Sequence, residues 1–399
     1  MSDSARKNSM DAGSVVTAAI MASAVGALFY NLLPLYLGTA QDYRGLDNRA
    51  IGFLTSTFFI GYNAVTISAF FWIRRVNWRY VIAASVPTIL IALYIGTSLD
   101  SYTSLLISIA VAGGAFAAIY CVGTTILGDT SNPHRWYAVK IAAESLSGAA
   151  LLLILPSTAI AHWGFNGTVL GMIIAILLLS PFLLWTPARG NKRLEREIRS
   201  IEIPDPIPRK LRVQTPYIWG AILALLIFCS GVTTIWAFVE RIGANGGHDA
   251  AAVGLLLSVS LMFAVAGSLA AAVMGGHFGN VTPFIAGAVV FLASLAFLSS
   301  AQQFALYATG TCMVAFAFGF MVPIAITEIA QLDFDGRYVV LSVPAFGIGS
   351  MLGPGITGLL TQSGSYTPLL VFCAAVVIVS SALLAFAATG ARTHVDVGA

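Results

Sequence analysis

Apolar residues run along this chain in long uninterrupted blocks, and polar residues collect in short breaks between them. A membrane-crossing helix needs ~20 mostly apolar residues to match a hydrocarbon core of ~30 Å. Twelve blocks meet that length, at about 15–37, 50–72, 80–98, 103–127, 138–160, 167–187, 217–239, 252–274, 281–299, 304–329, 339–361 and 367–389. Neither the period of two nor the ~10-residue length of a membrane β-strand is visible. The pattern predicts an all-α integral membrane protein with twelve transmembrane helices. The first block is too long for the apolar region of a removable signal and has no small-residue cleavage site, so it reads as a span.

Composition agrees with the pattern. Of 399 residues, 58% are hydrophobic and 9% charged, against roughly 25% charged in an ordinary soluble domain. That excludes a soluble enzyme, a disordered chain and a nucleic-acid binder. The net charge of +3 leaves no basic surface for nucleic acid. Cys121, Cys229, Cys312 and Cys373 fall inside predicted spans and read as small buried hydrophobes. The histidines lack metal-ligand spacing and no Gly-rich phosphate loop is present. No metal, cofactor or ATP-driven cycle is expected.

Charge sets orientation. Twelve spans put both termini on one side, and all basic residues but Arg44, Arg49 and Arg241 lie on that side. The positive-inside rule then makes both termini cytoplasmic, in an inner (plasma) membrane. Residues 188–214 carry eight of the twenty basic residues and the prolines Pro204, Pro206 and Pro208. They read as a cytoplasmic linker between bundles at 1–187 and 215–399. Within it, Lys192 to Arg199 is either a short interfacial helix or a solvated segment whose charges fix topology.

The bundles are copies. A shift of 202 residues lays Ile51-Gly52-Phe53-Leu54 on Val253-Gly254-Leu255-Leu256. The same shift puts Ser56 on Ser258, Ala64 on Ala266, Ala69 on Ala271, Arg135-Trp136 on Arg337-Tyr338 and Ala143 on Ala345. Six spans per copy make the repeats parallel, with their axis along the membrane normal. Twelve spans as 6+6, a long basic central loop and this duplication resemble the major facilitator superfamily of secondary transporters, over about residues 15–390. The resemblance implies two six-helix bundles about a central cavity, and a monomer.

The family's loop between spans 2 and 3 reads Gly-x-x-x-Asp-Arg-x-Gly-Arg-Arg. Here it is Phe70-Phe71-Trp72-Ile73-Arg74-Arg75-Val76-Asn77-Trp78-Arg79, with Arg74 at the acid's place. The cytoplasmic latch that the family builds on this acid must differ here or be weaker, with Arg74 and Arg75 as its basic members. Its repeat copy, Gly275-Gly276-His277-Phe278-Gly279-Asn280, keeps the glycine and loses the charges. The span 4 arginine of proton-coupled members is absent, since Ile109 stands four residues before Gly113, and so is the Pro-Gly signature of drug antiporters in span 5.

A charge at the bilayer centre costs about 2.5–3.5 kcal/mol, so an acid there is a functional candidate. Glu144 is nine residues past Arg135, ~13 Å along a helix and close to the midplane. It is the candidate to load and unload a coupled proton. Lys140, one turn earlier, shares its face and offers the alternative of a static ion pair. Asp129 and Glu328 precede Arg135 and Arg337 in the two halves, and each acid–arginine pair is a candidate cytoplasmic gate or an interfacial anchor. The resemblance implies substrate contacts from spans 1, 4, 7 and 10. Polar and aromatic residues there are Tyr30, Asn31, Tyr120, Thr124, Thr233, Thr234, Trp236 and Thr327. Asn31 either contacts substrate or bonds a neighbouring helix; Tyr62 and Asn63 on span 2 are weaker candidates. With no arginine deep in any span, a strongly anionic substrate is disfavoured. The expectation is a secondary active transporter of a small neutral or cationic, partly apolar organic solute, proton-coupled through Glu144 and worked by rocking of the bundles. An uncoupled facilitator and a non-transporting membrane sensor are the alternatives.

Overall fold

The computed structural model describes residues 10–131, 133–190, 209–274, 279–333, 338–361 and 365–396. Twelve α-helices and no strand occur among them: α1 Gly13–Arg44, α2 Asn48–Trp72, α3 Trp78–Ser98, α4 Tyr102–Gly128, α5 Pro133–Ile154, α6 Ala161–Leu183, α7 Arg209–Asn245, α8 Ala250–Met274, α9 Val281–Leu298, α10 Phe304–Leu332, α11 Ser342–Leu360 and α12 Thr367–Asp396. Where breaks fall, capping chemistry explains them. Asn77 accepts from the Arg79 amide at the start of α3, and Asp249 accepts from the Ala251 and Ala252 amides at the start of α8, satisfying donors that the first turn leaves free.

Eleven stretches are long and apolar enough to cross a membrane; one of them, Val139–Leu183, is 45 residues long and holds both α5 and α6. A straight helix of that length would reach ~68 Å, more than twice the hydrocarbon core. The sequence predicts a loop between these spans. Instead a π-helical turn, Pro156–Ile160, runs straight into α6, and the chain breaks at one residue, Gly164, with φ 55 and ψ −130. That backbone region is open to glycine and closed to bulky residues.

Two compact units divide the chain: residues 1–36 with 57–204, and residues 37–56 with 205–399. Of the 188–214 linker expected from the sequence, residues 191–208 lie outside those described, and with them the segment Lys192 to Arg199. In the first unit α3 packs on α4 and α6; in the second, α7 packs on α11 and α12, and α10 on α8 and α9. Ring stacking fills the first core: Phe29 of α1 stacks on Phe58 of α2 at 4.2 Å and meets Tyr36 edge-on at 5.0 Å. Large apolar side chains such as Ile91, Tyr94, Leu178 and Val371 are exposed on α3, α6 and α12, as helices bathed in lipid require.

The duplication shows in geometry. Gly45 ends α1 with φ 65 and Gly247 ends α7 with φ 80, 202 positions apart, as the C-terminal left-handed cap favours. Helix crossings follow the same logic. Gly61 of α2 abuts the Ala110 carbonyl of α4, and Gly113 abuts the Phe58 carbonyl; a Cβ at either glycine would overlap that oxygen. In the second unit Gly267 abuts the Phe316 carbonyl and Gly319 the Ala264 carbonyl. These four contacts correspond at a shift of 206, one helical turn beyond the 202 that aligns the starts of α2 with α8 and of α4 with α10. Both helices of the crossing slide together, so small residues still meet.

Candidate functional site

The first unit buries a charged pair in its bundle. Lys140 and Glu144 lie on α5 with Nζ and Oε1 2.9 Å apart and side chains 6% and 13% exposed. Their i, i+4 spacing places them on one face. The Lys140 ammonium also donates to the Tyr120 hydroxyl of α4 at 2.7 Å and lies 4.1 Å from the centre of the Tyr120 ring. A lysine so placed has its charge met by a carboxylate, a hydroxyl and a ring face, which offsets the loss of water.

Backbone proximity builds this arrangement. Gly26 of α1 faces Tyr120, where a Cβ would come within 2.6 Å of the Tyr120 Cβ; only glycine admits α4 so close. Gly148 of α5 faces Asn31 in the same way, at 2.6 Å from its Cβ. Asn31 then donates through Nδ2 to the Glu144 carbonyl at 2.8 Å, the helix-to-helix bond that the sequence left open against substrate contact. Aromatic rings continue the cluster: Tyr120 to Tyr62 at 6.3 Å, Tyr62 to Phe59 at 5.9 Å and Phe59 to Tyr30 at 6.2 Å. Thr124, one turn beyond Tyr120, keeps its hydroxyl buried without a hydrogen-bond partner among the described residues. Asn63 on α2 is in the same condition at both Oδ1 and Nδ2.

In the second unit the candidates are spoken for. Thr233 and Ser350 share a hydrogen bond at 2.8 Å, and Thr234 donates to the Ser230 carbonyl at 2.7 Å. Thr233 and Ser350 are the repeat counterparts of Asn31 and Gly148 at a shift of 202, so one helix contact is built twice with different atoms. Trp236 is buried, and Thr327 is exposed with its hydroxyl donated to the Pro323 carbonyl.

Two polar latches hold helix ends. Arg74, in the loop before α3, makes a bidentate pair with Asp129 at the end of α4, at 2.6 and 2.8 Å. Here the cation sits in the loop and the acid on α4. Arg75 beside it is exposed. In the second unit Asn280 donates to Glu328 at 2.7 Å and to Gln331 at 2.9 Å; Gln331 holds the repeat position of Asp129, so an amide bridge stands where the first unit has an ion pair. The Arg135 side chain and Arg337 lie outside the described residues.

Glu240 and Arg241, which the sequence places at the outer end of span 7 and reads as interfacial, are instead buried in a charged cluster. Within the second unit Arg241 makes a bidentate pair with Asp42 at 2.5 and 2.9 Å and contacts both carboxylate oxygens of Glu240 at 2.5 and 2.7 Å. Arg241 and Glu240 are buried. Beside them Asn48 donates to the Thr361 carbonyl at 2.9 Å and Ser56 to the Met351 carbonyl at 2.6 Å. The adjacent Glu240-Arg241 at a helix end was visible in the sequence; its partner Asp42, 199 positions away, was not.

Twelve helices, duplicated in sequence and in their crossings and apolar enough in eleven stretches to cross a membrane, make a multi-pass membrane protein. The family model of the Major Facilitator Superfamily matches residues 15–332, and the chain belongs to that superfamily. No curated protein matches the chain in sequence. Among solved structures it is similar to the D-xylose-proton symporter, with TM-score 0.74 and 12% identity over 93% of this chain and 96% of that one. The nucleoside transporter NupG gives 0.72 and 12% over 94% and 98%. A structure titled for substrate recognition in proton dependent oligopeptide transporters gives 0.71 and 12% over 96% and 100%. At these identities the likeness is one of fold.

Proposed function

We propose that this protein is a secondary active transporter of a small neutral or cationic, partly apolar organic solute, with proton coupling through Glu144. The observation that carries the reading is the buried Lys140–Glu144 pair in contact with Tyr120. A proton arriving at Glu144 cancels its charge and releases Lys140 from the pair; the Tyr120 hydroxyl and ring keep the ammonium in place. The pair thus has two discrete arrangements, which a carrier needs if proton and solute are to bias one conformational equilibrium. The names of two similar structures, a xylose-proton symporter and a proton dependent oligopeptide transporter, support coupling to protons. The distribution of basic residues supports cytoplasmic termini in an inner (plasma) membrane, with the two bundles of a monomer rocking about a central site.

The pair itself favours a second reading: at 2.9 Å it can be a permanent structural bridge in an uncoupled facilitator. The experiment separates the two. Purified protein is screened by thermal shift against sugars, amino acids, nucleosides and lipophilic cations at two pH values, and stabilising solutes are then followed into proteoliposomes under an imposed pH gradient. Coupling predicts pH-driven accumulation in wild type, lost in Glu144→Gln while solute exchange persists. Accumulation that survives Glu144→Gln removes Glu144 from the coupling step, and equal pH-independent exchange in both proteins establishes the facilitator.

A further inference from the structure

Asn63 is a buried side chain of the first unit that no contact among the described residues explains. It sits in the middle of α2, is 5% exposed, and both its amide oxygen and its amide nitrogen are buried without a partner among the described residues. A buried polar atom left without a partner forfeits its bonds to water and gains none in return, and Asn63 carries two. Other buried polar side chains nearby show how easily such groups find partners: Asn31 reaches the Glu144 carbonyl and Ser23 the Ala19 carbonyl. A leucine at position 63 would remove the cost outright.

We propose that Asn63 recognises the transported solute, and that the solute class is planar and uncharged with a hydrogen-bond donor beside an acceptor: a lactam or cyclic amide of the nucleobase type. The proposal rests on the transport reading and adds the substrate class to it. A primary amide presents one acceptor and two donors in a single plane, and its bidentate complement is another donor–acceptor pair at the same spacing, as when an asparagine side chain pairs with a base edge. The surroundings fit a flat ring. Phe59 is one turn from Asn63 on the same face of α2, and Tyr30 meets Phe59 edge-on at 6.2 Å. The unpartnered Thr124 hydroxyl adds a third hydrogen-bonding group in the same bundle. A lactam edge sets its donor and acceptor rigidly in the plane of the amide, which the rotating hydroxyls of a sugar do not, and a simple organic cation offers no acceptor for the amide nitrogen.

The test uses the full chain purified in detergent and two matched pairs of probes: uracil with 1,3-dimethyluracil, and 2-pyridone with N-methyl-2-pyridone. Methylation keeps ring and carbonyl and deletes the donor. Recognition by Asn63 predicts that uracil and 2-pyridone raise the wild-type Tm by several degrees and that their methylated partners do not. Asn63→Leu should melt at or above wild type without ligand and lose the response. The proposal is overturned if neither lactam shifts the Tm, if the methylated probes shift it equally, if Asn63→Leu retains the shift, or if Asn63→Leu melts well below wild type, which would make the amide a structural partner. Lactam binding through Asn63 without pH-driven accumulation would sink the coupling assignment and leave recognition standing. Accumulation of another solute class with the lactams silent would do the reverse.

Discussion

Glu144 and Lys140 pair on α5 at 2.9 Å because the spacing that brings them together is local. Four positions on a helix put two side chains on one face whatever the surrounding fold. Tyr120 completes the arrangement from another helix, and no local rule reports that. The same limit applies to Asp129, which pairs with Arg74 at a separation of 55 residues, and to Asn31, whose partner is a carbonyl 113 residues away. Energetics at this scale are asymmetric. Removing one member of a buried ion pair strands the other and typically costs 3–5 kcal/mol, whereas replacing both by apolar groups is often neutral. Lys140→Met is therefore expected to lower the Tm markedly at neutral pH and less at acid pH, where Glu144 takes up a proton. The double variant Lys140→Met/Glu144→Met should recover most of the loss at neutral pH. Equal destabilisation by the single and double variants would show that the pair contributes nothing as a pair.

Helices and their crossings were legible as lengths and as a repeat, but not as contacts. Apolar blocks predicted all twelve elements because lipid demands ~20 residues per span, and the shift of 202 was readable because it preserves helix starts. The slide of one turn at the α2–α4 and α8–α10 crossings was hidden: Gly61 and Gly267 do not align at 202, and a glycine in an apolar block looks the same whether it meets a carbonyl or lipid. Backbone contact separates the two cases. Gly319→Ala would drive a methyl into the Ala264 carbonyl, whereas a Cβ at Gly220 meets its nearest atom at an ordinary 3.6 Å. Gly319→Ala should thus be strongly destabilising, and Gly220→Ala neutral or stabilising by up to ~1 kcal/mol from helix propensity. Melting curves of the two variants in the same detergent decide it; similar behaviour would mean that α8 and α10 have room to separate.

At the scale of the molecule, the duplication is kept in the scaffold and broken in the polar groups. Positions 202 apart carry Asn31 and Thr233, Gly148 and Ser350, Asp129 and Gln331, and Glu144 and Phe346, so the charged pair belongs to the first unit alone. The second unit buries an oppositely charged pair of its own at Glu240 and Arg241, on the corner formed with residues 37–56. Arg241 satisfies two acids there, and nothing else charged among the described contacts competes for Glu240. In Arg241→Gln the Glu240 carboxylate is left buried and unpaired while Asp42, half exposed, returns to water. Corner residues 37–56 then still have the bonds of Asn48 to Thr361 and Tyr366, that of Ser56 to Met351, and their packing. Hydrogen exchange over 37–56 should accelerate in Arg241→Gln, and the Tm should fall. Neutralising the stranded acid in Glu240→Gln/Arg241→Gln should restore much of the Tm but little of the protection, because the bond to Asp42 is still missing. Protection that is unchanged in both variants would assign the hold on the corner to helix packing, with the three charges as passengers.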